Sequence, residues 1–179
     1  MRVRDRADHS PEQLDALRRW LETAYGRGPW RPEHWDELGP GPHIVAEAED
    51  GTLLAHACIA WVPIEIAGRT VPSGFLEDVA TRRDVRGRGY GSAVVAAARP
   101  LIEGSASIGF LSTGSHSFYE RLGWERWTGP SAVREPDGAV TATPEEDGDI
   151  MALRLPRTPA WVSVDLPIVR PRRDPDEAW

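Results

Sequence analysis

The chain has 179 residues, 40% apolar and 27% charged, which is the composition of one globular domain able to bury a sizeable core. Its formal charge of -7 comes from 28 acidic residues against 21 basic ones, all arginine; this disfavours nucleic acid as the main partner and is compatible with a cationic substrate. No apolar run approaches the roughly 18 residues that span a bilayer, Met1-Arg2-Val3-Arg4-Asp5-Arg6 lacks the apolar stretch of a secretory signal, and the lone Cys58 allows no internal disulfide, so a cytoplasmic protein without a membrane anchor is expected.

Ser10, Pro11 and Gln13 form a capping box with proline at the first helical position, and Leu14, Leu17, Leu21 and Ala24 recur on one face of the helix that follows. Gly26-Arg27-Gly28-Pro29 ends it, and Arg31 to Leu38 reads as a second short helix carrying Trp35. His43 to Glu47 and Leu53 to Val62 form a hairpin across Glu49-Asp50-Gly51. Ile64 and Ile66 alternate before a turn at Ala67-Gly68-Arg69, after which an antiparallel strand leads into Phe75 to Thr81. A helix covers Ala93 to Arg99, and Ser107 to Ser112 is a strand parallel to the one before, because a crossover helix intervenes. Ser115 to Leu122 is helical and Gly123 caps it. Trp124 to Trp127, Ile150 to Leu155 and Ala160 to Leu166 are the clearest late strands, with a long polar loop from Glu135 to Gly148 between the first two.

The strand-turn-helix from Glu77 to Ser92 carries the strongest chemical signal. Gly87, Gly89 and Gly91 let main-chain N–H groups converge on an anion, the positive end of the following helix dipole points the same way, and Arg86 and Arg88 add full charges. A chain without lysine has no P-loop, and glycines at every second position do not fit the dinucleotide fingerprint. Arg86-x-x-Gly89-x-Gly91 resembles the acetyl-coenzyme A signature of the GNAT (Gcn5-related) N-acetyltransferases, although a helix start with exposed arginines would share the pattern.

The order of elements is also similar to the GNAT fold, an α/β (α+β) arrangement with a mixed central sheet flanked by helices, expected here as a single domain over 1–179. Five blocks are similar to the aminoglycoside 2'-N-acetyltransferases: Leu76-Glu77-Asp78-Val79-Ala80; Phe110-Leu111-Ser112-Thr113; Phe118-Tyr119-Glu120-Arg121-Leu122-Gly123-Trp124 with Gly129-Pro130; Thr143-Pro144-Glu145-Glu146-Asp147-Gly148; and the C-terminal Trp179. The resemblance implies acetyl-CoA as cosubstrate, with Val79, Ala80 and Thr81 along the pantetheine arm and Arg86, Gly87, Arg88, Gly89, Tyr90, Gly91 and Ser92 around the pyrophosphate. An amine attacks a thioester only as the free base, which calls for a carboxylate; the resemblance nominates Glu77, whose alternative is an ion pair with Arg82 or Arg83. Tyr119 is nominated as proton donor to the departing sulfur, its alternative being a half-buried core aromatic.

Substrate contacts implied by the resemblance are Ser112, Glu146, Glu177 and Trp179 with its terminal carboxylate, and His34, Trp35, Glu77, Asp78 and Thr113 are further candidates, the alternative for His34 being an exposed helix residue. The sequence departs from the family where Pro29 and His34 align with aspartates and where Glu146 and Glu177 replace aspartates. Fewer acids beside Arg31 and His34 favour a smaller, carboxylate-bearing aminoglycoside such as kasugamycin over the gentamicin and tobramycin range. Acetylation of another amine, such as a polyamine or a protein N-terminus, and a non-catalytic acetyl-CoA-binding module also fit. A homodimer is expected from the superfamily, and a membrane or nucleic-acid partner is not. No metal site is expected, because His9, His43, His56 and His116 lack ligand-like spacing with one another or with Cys58, which reads as a packing residue.

Overall fold

The capping box works as the sequence requires: Gln13 N–H donates to Ser10 Oγ at 3.3 Å while Ser10 N–H donates to Gln13 Oε1 at 3.0 Å, and helix α1 runs Pro11–Tyr25. The computed structural model describes residues 2–26, 35, 41–173 and 179. Strand β1 (Arg2–Asp5) precedes α1, and β2 (Pro42–Glu47), β3 (Leu53–Trp61), β4 (Ile64–Ile66), β5 (Arg69–Val71) and β6 (Ser73–Thr81) follow. Helix α2 (Tyr90–Ser105) leads to β7 (Ile108–Ser112), α3 (His116–Glu120), β8 (Glu125–Arg126), β9 (Ser131–Arg134), β10 (Val140–Ala142), β11 (Ile150–Arg154) and β12 (Ile168–Pro171).

These elements form two compact units. The first comprises Met1–Ala60 and Leu76–Arg99. Its strands run in the order β1-β2-β3-β6. Leu17, Leu21, Trp35, Cys58 and Ala80 make its core, with Leu14, Trp20, Ala24, Tyr25 and Leu53 packed around them. A bulge between Ala46 and Glu47 shifts the antiparallel β2–β3 register, so that His43 lies opposite Cys58 and Val45 opposite His56.

The second unit comprises Trp61–Phe75 and Pro100–Trp179. Ser73, Gly74 and Phe75 of β6 pair in parallel with Ile108, Gly109 and Phe110 of β7, the parallel crossover expected from the intervening helix. β11 pairs antiparallel with both β7 and β8. A second sheet in the same unit has the order β10-β9-β12-β4-β5, in which β9 and β12 are parallel. Phe110 and Trp127, both fully buried, meet edge to face at 5.4 Å and centre the core of this unit.

Three sequence expectations need correction. Ala160 to Leu166 is not a strand: its alternating Val162, Val164 and Leu166 sit in turns closed by Val162 N–H to Pro159 C=O at 2.9 Å and Leu166 N–H to Ser163 C=O at 3.3 Å, and the last strand is β12 instead. The Glu135 to Gly148 loop contains β10, paired with β9 across the Asp137-Gly138 turn, and a 3-10 turn at Pro144–Glu146. Helix α2 extends beyond Ala93 to Arg99 at both ends, since Ala93 N–H already donates to Gly89 C=O at 2.9 Å. Of the expected helix from Arg31 to Leu38, only Trp35 lies within the described residues, and it is helical.

Candidate active site

In the first unit, β6 carries Glu77, Asp78 and Val79 as consecutive half-buried residues, with Asp78 in the left-handed region at φ 51°. A non-glycine residue in that conformation inside a strand is a bulge that redirects the backbone. Beyond Thr81 the chain makes a 3-10 turn over Arg83–Val85 and then the loop Arg86-Gly87-Arg88-Gly89, in which Gly87 and Gly89 have φ of 78° and 88°. Arg86 and Arg88 are exposed, and Arg86 Nε donates to Thr81 C=O at 3.2 Å, which ties the loop to the strand it leaves. α2 starts at Tyr90, so the N–H groups of Tyr90, Gly91 and Ser92 precede its first i→i−4 bond. Amides ahead of the first helical bond, the helix dipole and two exposed arginines on the preceding loop suit a pyrophosphate.

Arg82, the alternative partner for Glu77, grips Asp84 through both Nε at 2.7 Å and an Nη at 3.0 Å, and this pairing holds the Asp84 carboxyl below its ordinary range. The Arg83 guanidinium lies beside Gly26. Tyr25 Oη–H donates to Val79 C=O at 3.4 Å and anchors the same stretch of β6 to α1. Trp35, nominated as a substrate contact, is 5% exposed and stacks on His43 with ring centroids 5.1 Å apart, which places it in the core of the first unit.

In the second unit, Ser112 ends β7 opposite Ile150, and the next residue, Thr113, donates its N–H to Asp149 C=O at 2.9 Å. From there a run of backbone bonds leads through the long loop: Asp149 N–H to Glu146 C=O at 3.1 Å, then Glu146 N–H to Thr143 C=O at 2.9 Å. The buried Thr143 hydroxyl accepts from Trp179 Nε1–H at 3.0 Å and contacts Ser131 Oγ at 2.8 Å. Ser112, Thr113, Glu146 and Trp179 are thus tied into one continuous framework, although they lie on three separate segments of the sequence. Asp147, which sequence reasoning did not single out, braces it by accepting from both the N–H and the hydroxyl of Ser131, at 2.8 and 2.7 Å. His116 at the start of α3 lies 3.4 Å from Asp149.

Tyr119 sits on α3 between Phe118 and Trp124, whose rings meet it edge on at 4.8 and 6.3 Å. Burial pushes its phenol up to about 12, so the hydroxyl keeps its proton throughout the working range of an enzyme. His34 and Glu177, and with them Pro29 and Arg31, lie outside the described residues.

Among the described residues, a grouping of buried titratable side chains that spacing did not reveal lies in the first unit. His43 Nδ1 lies 2.9 Å from His56 Nε2, and with Cys58 Sγ these three buried atoms lie within 4.8 Å of one another. The pairing across β2 and β3 assembles them, so only the register could have disclosed it.

A half-buried carboxylate within β6, followed by a glycine turn at a helix start, is compatible with an acyl-coenzyme A transferase, and comparison with known proteins identifies the family. The model for the acetyltransferase (GNAT) family matches residues 11–124. An aminoglycoside 2'-N-acetyltransferase from Mycolicibacterium fortuitum is 30% identical over 161 residues, covering 89% of this chain and 80% of the relative. The chain belongs to the GNAT family of acetyltransferases, for which acetyl-CoA is the cosubstrate.

Solved structures carry the same fold. A GNAT family N-acetyltransferase from Escherichia coli in complex with CoA superposes with a TM-score of 0.65 at 14% identity, over 94% of this chain and 88% of that one. An acyl-CoA N-acyltransferase from Pseudomonas aeruginosa gives 0.59 at 19% identity, over 85% and 97%. A probable N-acyltransferase from Enterococcus faecalis gives 0.58 at 20% identity over 72% of this chain, which spans 33% of that longer protein.

Proposed function

We propose that this protein, as one cytoplasmic acetyltransferase domain, moves the acetyl group of acetyl-CoA to the 2'-amino group of an aminoglycoside antibiotic and so confers resistance, with kasugamycin favoured over gentamicin and tobramycin. The 30% identity to an aminoglycoside 2'-N-acetyltransferase over 89% of the chain carries this reading. The framework joining Ser112, Thr113, Glu146 and Trp179 supports it, because a carboxylate on a braced loop is what a polyamine sugar requires.

Glu77 takes the proton of the attacking amine, the nitrogen forms its bond to the thioester carbon, and the carbon–sulfur bond breaks as the tetrahedral adduct collapses. Tyr119 meets the developing thiolate. With its phenol pushed to about 12, well above a thiol, it stabilises that charge by hydrogen bonding rather than by giving up its proton. The preference for kasugamycin follows from the acids missing at Pro29 and His34 relative to the family, and from the extra methylene that Glu146 and Glu177 place between backbone and carboxylate. Exposed Trp61 and Trp161 offer apolar surface for a homodimer, which a sedimentation measurement would detect as twice the monomer mass.

Expression in an aminoglycoside-sensitive bacterium tests the resistance role. The expected outcome is a raised inhibitory concentration for kasugamycin, lost in Glu77→Gln; a raised concentration for tobramycin and gentamicin with none for kasugamycin would contradict the preference.

A further inference from the structure

His56 and Cys58 lie two apart on β3, on one face of the strand, and both reach main-chain oxygens of β6. His56 Nδ1 is 2.9 Å from Asp78 C=O, and Cys58 Sγ–H donates to Glu77 C=O at 3.4 Å. In a regular strand successive carbonyls point to opposite sides, so side chains from one face of a neighbour cannot meet both. They do so here because Asp78 is in the left-handed region, at φ 51°. A carbonyl only accepts, so His56 Nδ1 carries the hydrogen and its Nε2 offers a lone pair. His43 Nδ1, 2.9 Å from that Nε2, must then be the donor. Both tautomers are fixed by a single backbone oxygen.

His43 is itself clamped. Trp35 stacks on it with an interplanar angle of 28°, and the His9 ring meets it edge on at 5.7 Å. The row runs from His43 through His56 to the Asp78 carbonyl, and His43 and His56 are almost wholly buried. Since it ends on an oxygen that cannot pass a proton on, it is a brace and not a proton wire. The nitrogen-to-nitrogen distance of 2.9 Å is also shorter than the roughly 3.3 Å that separates two imidazole nitrogens on one tetrahedral zinc.

A trans peptide fixes what the brace does. The Asp78 C=O and the Val79 N–H belong to one plane and point in opposite directions, so holding the oxygen toward β3 turns the Val79 N–H away from it. We propose that His56, held in place by His43, is a positioning residue for acetyl transfer: it locks the bulge at Asp78 so that the Val79 N–H points at the carbonyl oxygen of the bound acetyl group, where charge develops in the transition state. This rests on the reading that acetyl-CoA lies along Val79. A donor already aimed at the developing oxyanion is worth far more than one that must reorient during the reaction.

The test compares His56→Phe, which removes the donor, with His56→Asn, whose amide N–H stands near the position of Nδ1. His56→Phe should lower kcat by about 30-fold with the KM for acetyl-CoA changed by less than about threefold, and His56→Asn should recover most of the loss. A folded His56→Phe enzyme with kcat within about twofold of the unaltered one would overturn the proposal, as would stoichiometric zinc in the purified protein.

Two measurements on the unaltered chain stand apart from turnover, and so decide the matter if the variant does not fold or if no aminoglycoside is acetylated. Long-range proton–nitrogen spectra should show Nδ1–H on both His43 and His56, and the Val79 amide resonance should respond more to acetyl-CoA than to coenzyme A. Nε2–H on His56, or equal responses of Val79 to the two ligands, would overturn it. Absence of turnover with these signatures intact would count against the substrate reading alone.

Discussion

At the scale of single residues, His56 ties chemistry to stability. Burial pushes its imidazole down to about 4 from the ordinary 6.5, so the fold requires the neutral ring and the unfolded chain binds the extra proton. The stability this contributes is fully present above about pH 6.5, falls as the pH drops, and is lost below about 4. Between pH 7.5 and 5 the loss is about 2 kcal/mol. Denaturant midpoints across that range check it, and a flat profile would contradict the buried neutral ring. For catalysis, Glu77→Gln should lower kcat by roughly two to four orders of magnitude, because an amine that stays protonated cannot attack. Tyr119→Phe should cost about tenfold to a hundredfold in kcat with little change in KM, consistent with one hydrogen bond made only as the thiolate forms. Single-turnover rates at saturating acetyl-CoA distinguish the two.

At the scale of elements, glycines mark where backbones come closest. A Cβ on Gly129 would lie 2.0 Å from Leu166 C=O, so Gly129→Ala must push apart the turns that Trp127, Thr128 and Gly129 hold by hydrogen bonds. A loss of about 3 kcal/mol or more is expected, read from thermal or denaturant unfolding. Gly89 is different: no atom lies within 4 Å of its Cβ position, but its φ is 88°. Gly89→Val should therefore leave the fold largely intact and act on the loop, raising the KM for acetyl-CoA several-fold with a smaller effect on kcat.

The elements also show which signals the sequence could carry. The capping box, the Asp50-Gly51 turn and the glycine turn before α2 are local patterns, and each formed where local chemistry put it. The alternation of Val162, Val164 and Leu166 imitated a strand, but hydrogen bonds from Trp127, Thr128 and Gly129 satisfy that segment in turns. The imidazole row was invisible for a related reason. The hairpin turn alone would set His43 opposite Ala57, on the other face from His56, and the bulge at Ala46/Glu47 shifts the register by one and brings the rings together. No periodicity in the sequence encodes that shift.

At the scale of the whole molecule, family membership rests on agreement between the order of elements, the anion-binding turn and the match over residues 11–124. Specificity was legible only in part. The carboxylates proposed to bind the aminoglycoside lie on separated segments, and the bonds among Thr143, Glu146, Asp149 and Trp179 join the long loop to the C-terminal residue. Removing its keystone makes a further prediction: Thr143→Val deletes the acceptor for the Trp179 indole, and should raise the KM for the aminoglycoside while leaving that for acetyl-CoA unchanged.

The most direct measurement is release of coenzyme A thiol from acetyl-CoA against kasugamycin, tobramycin, gentamicin, amikacin (which has a 2'-hydroxyl in place of the amine), spermidine and a short peptide. The account predicts turnover of kasugamycin above all others and none of amikacin. Turnover of spermidine or the peptide with no aminoglycoside consumed would contradict it.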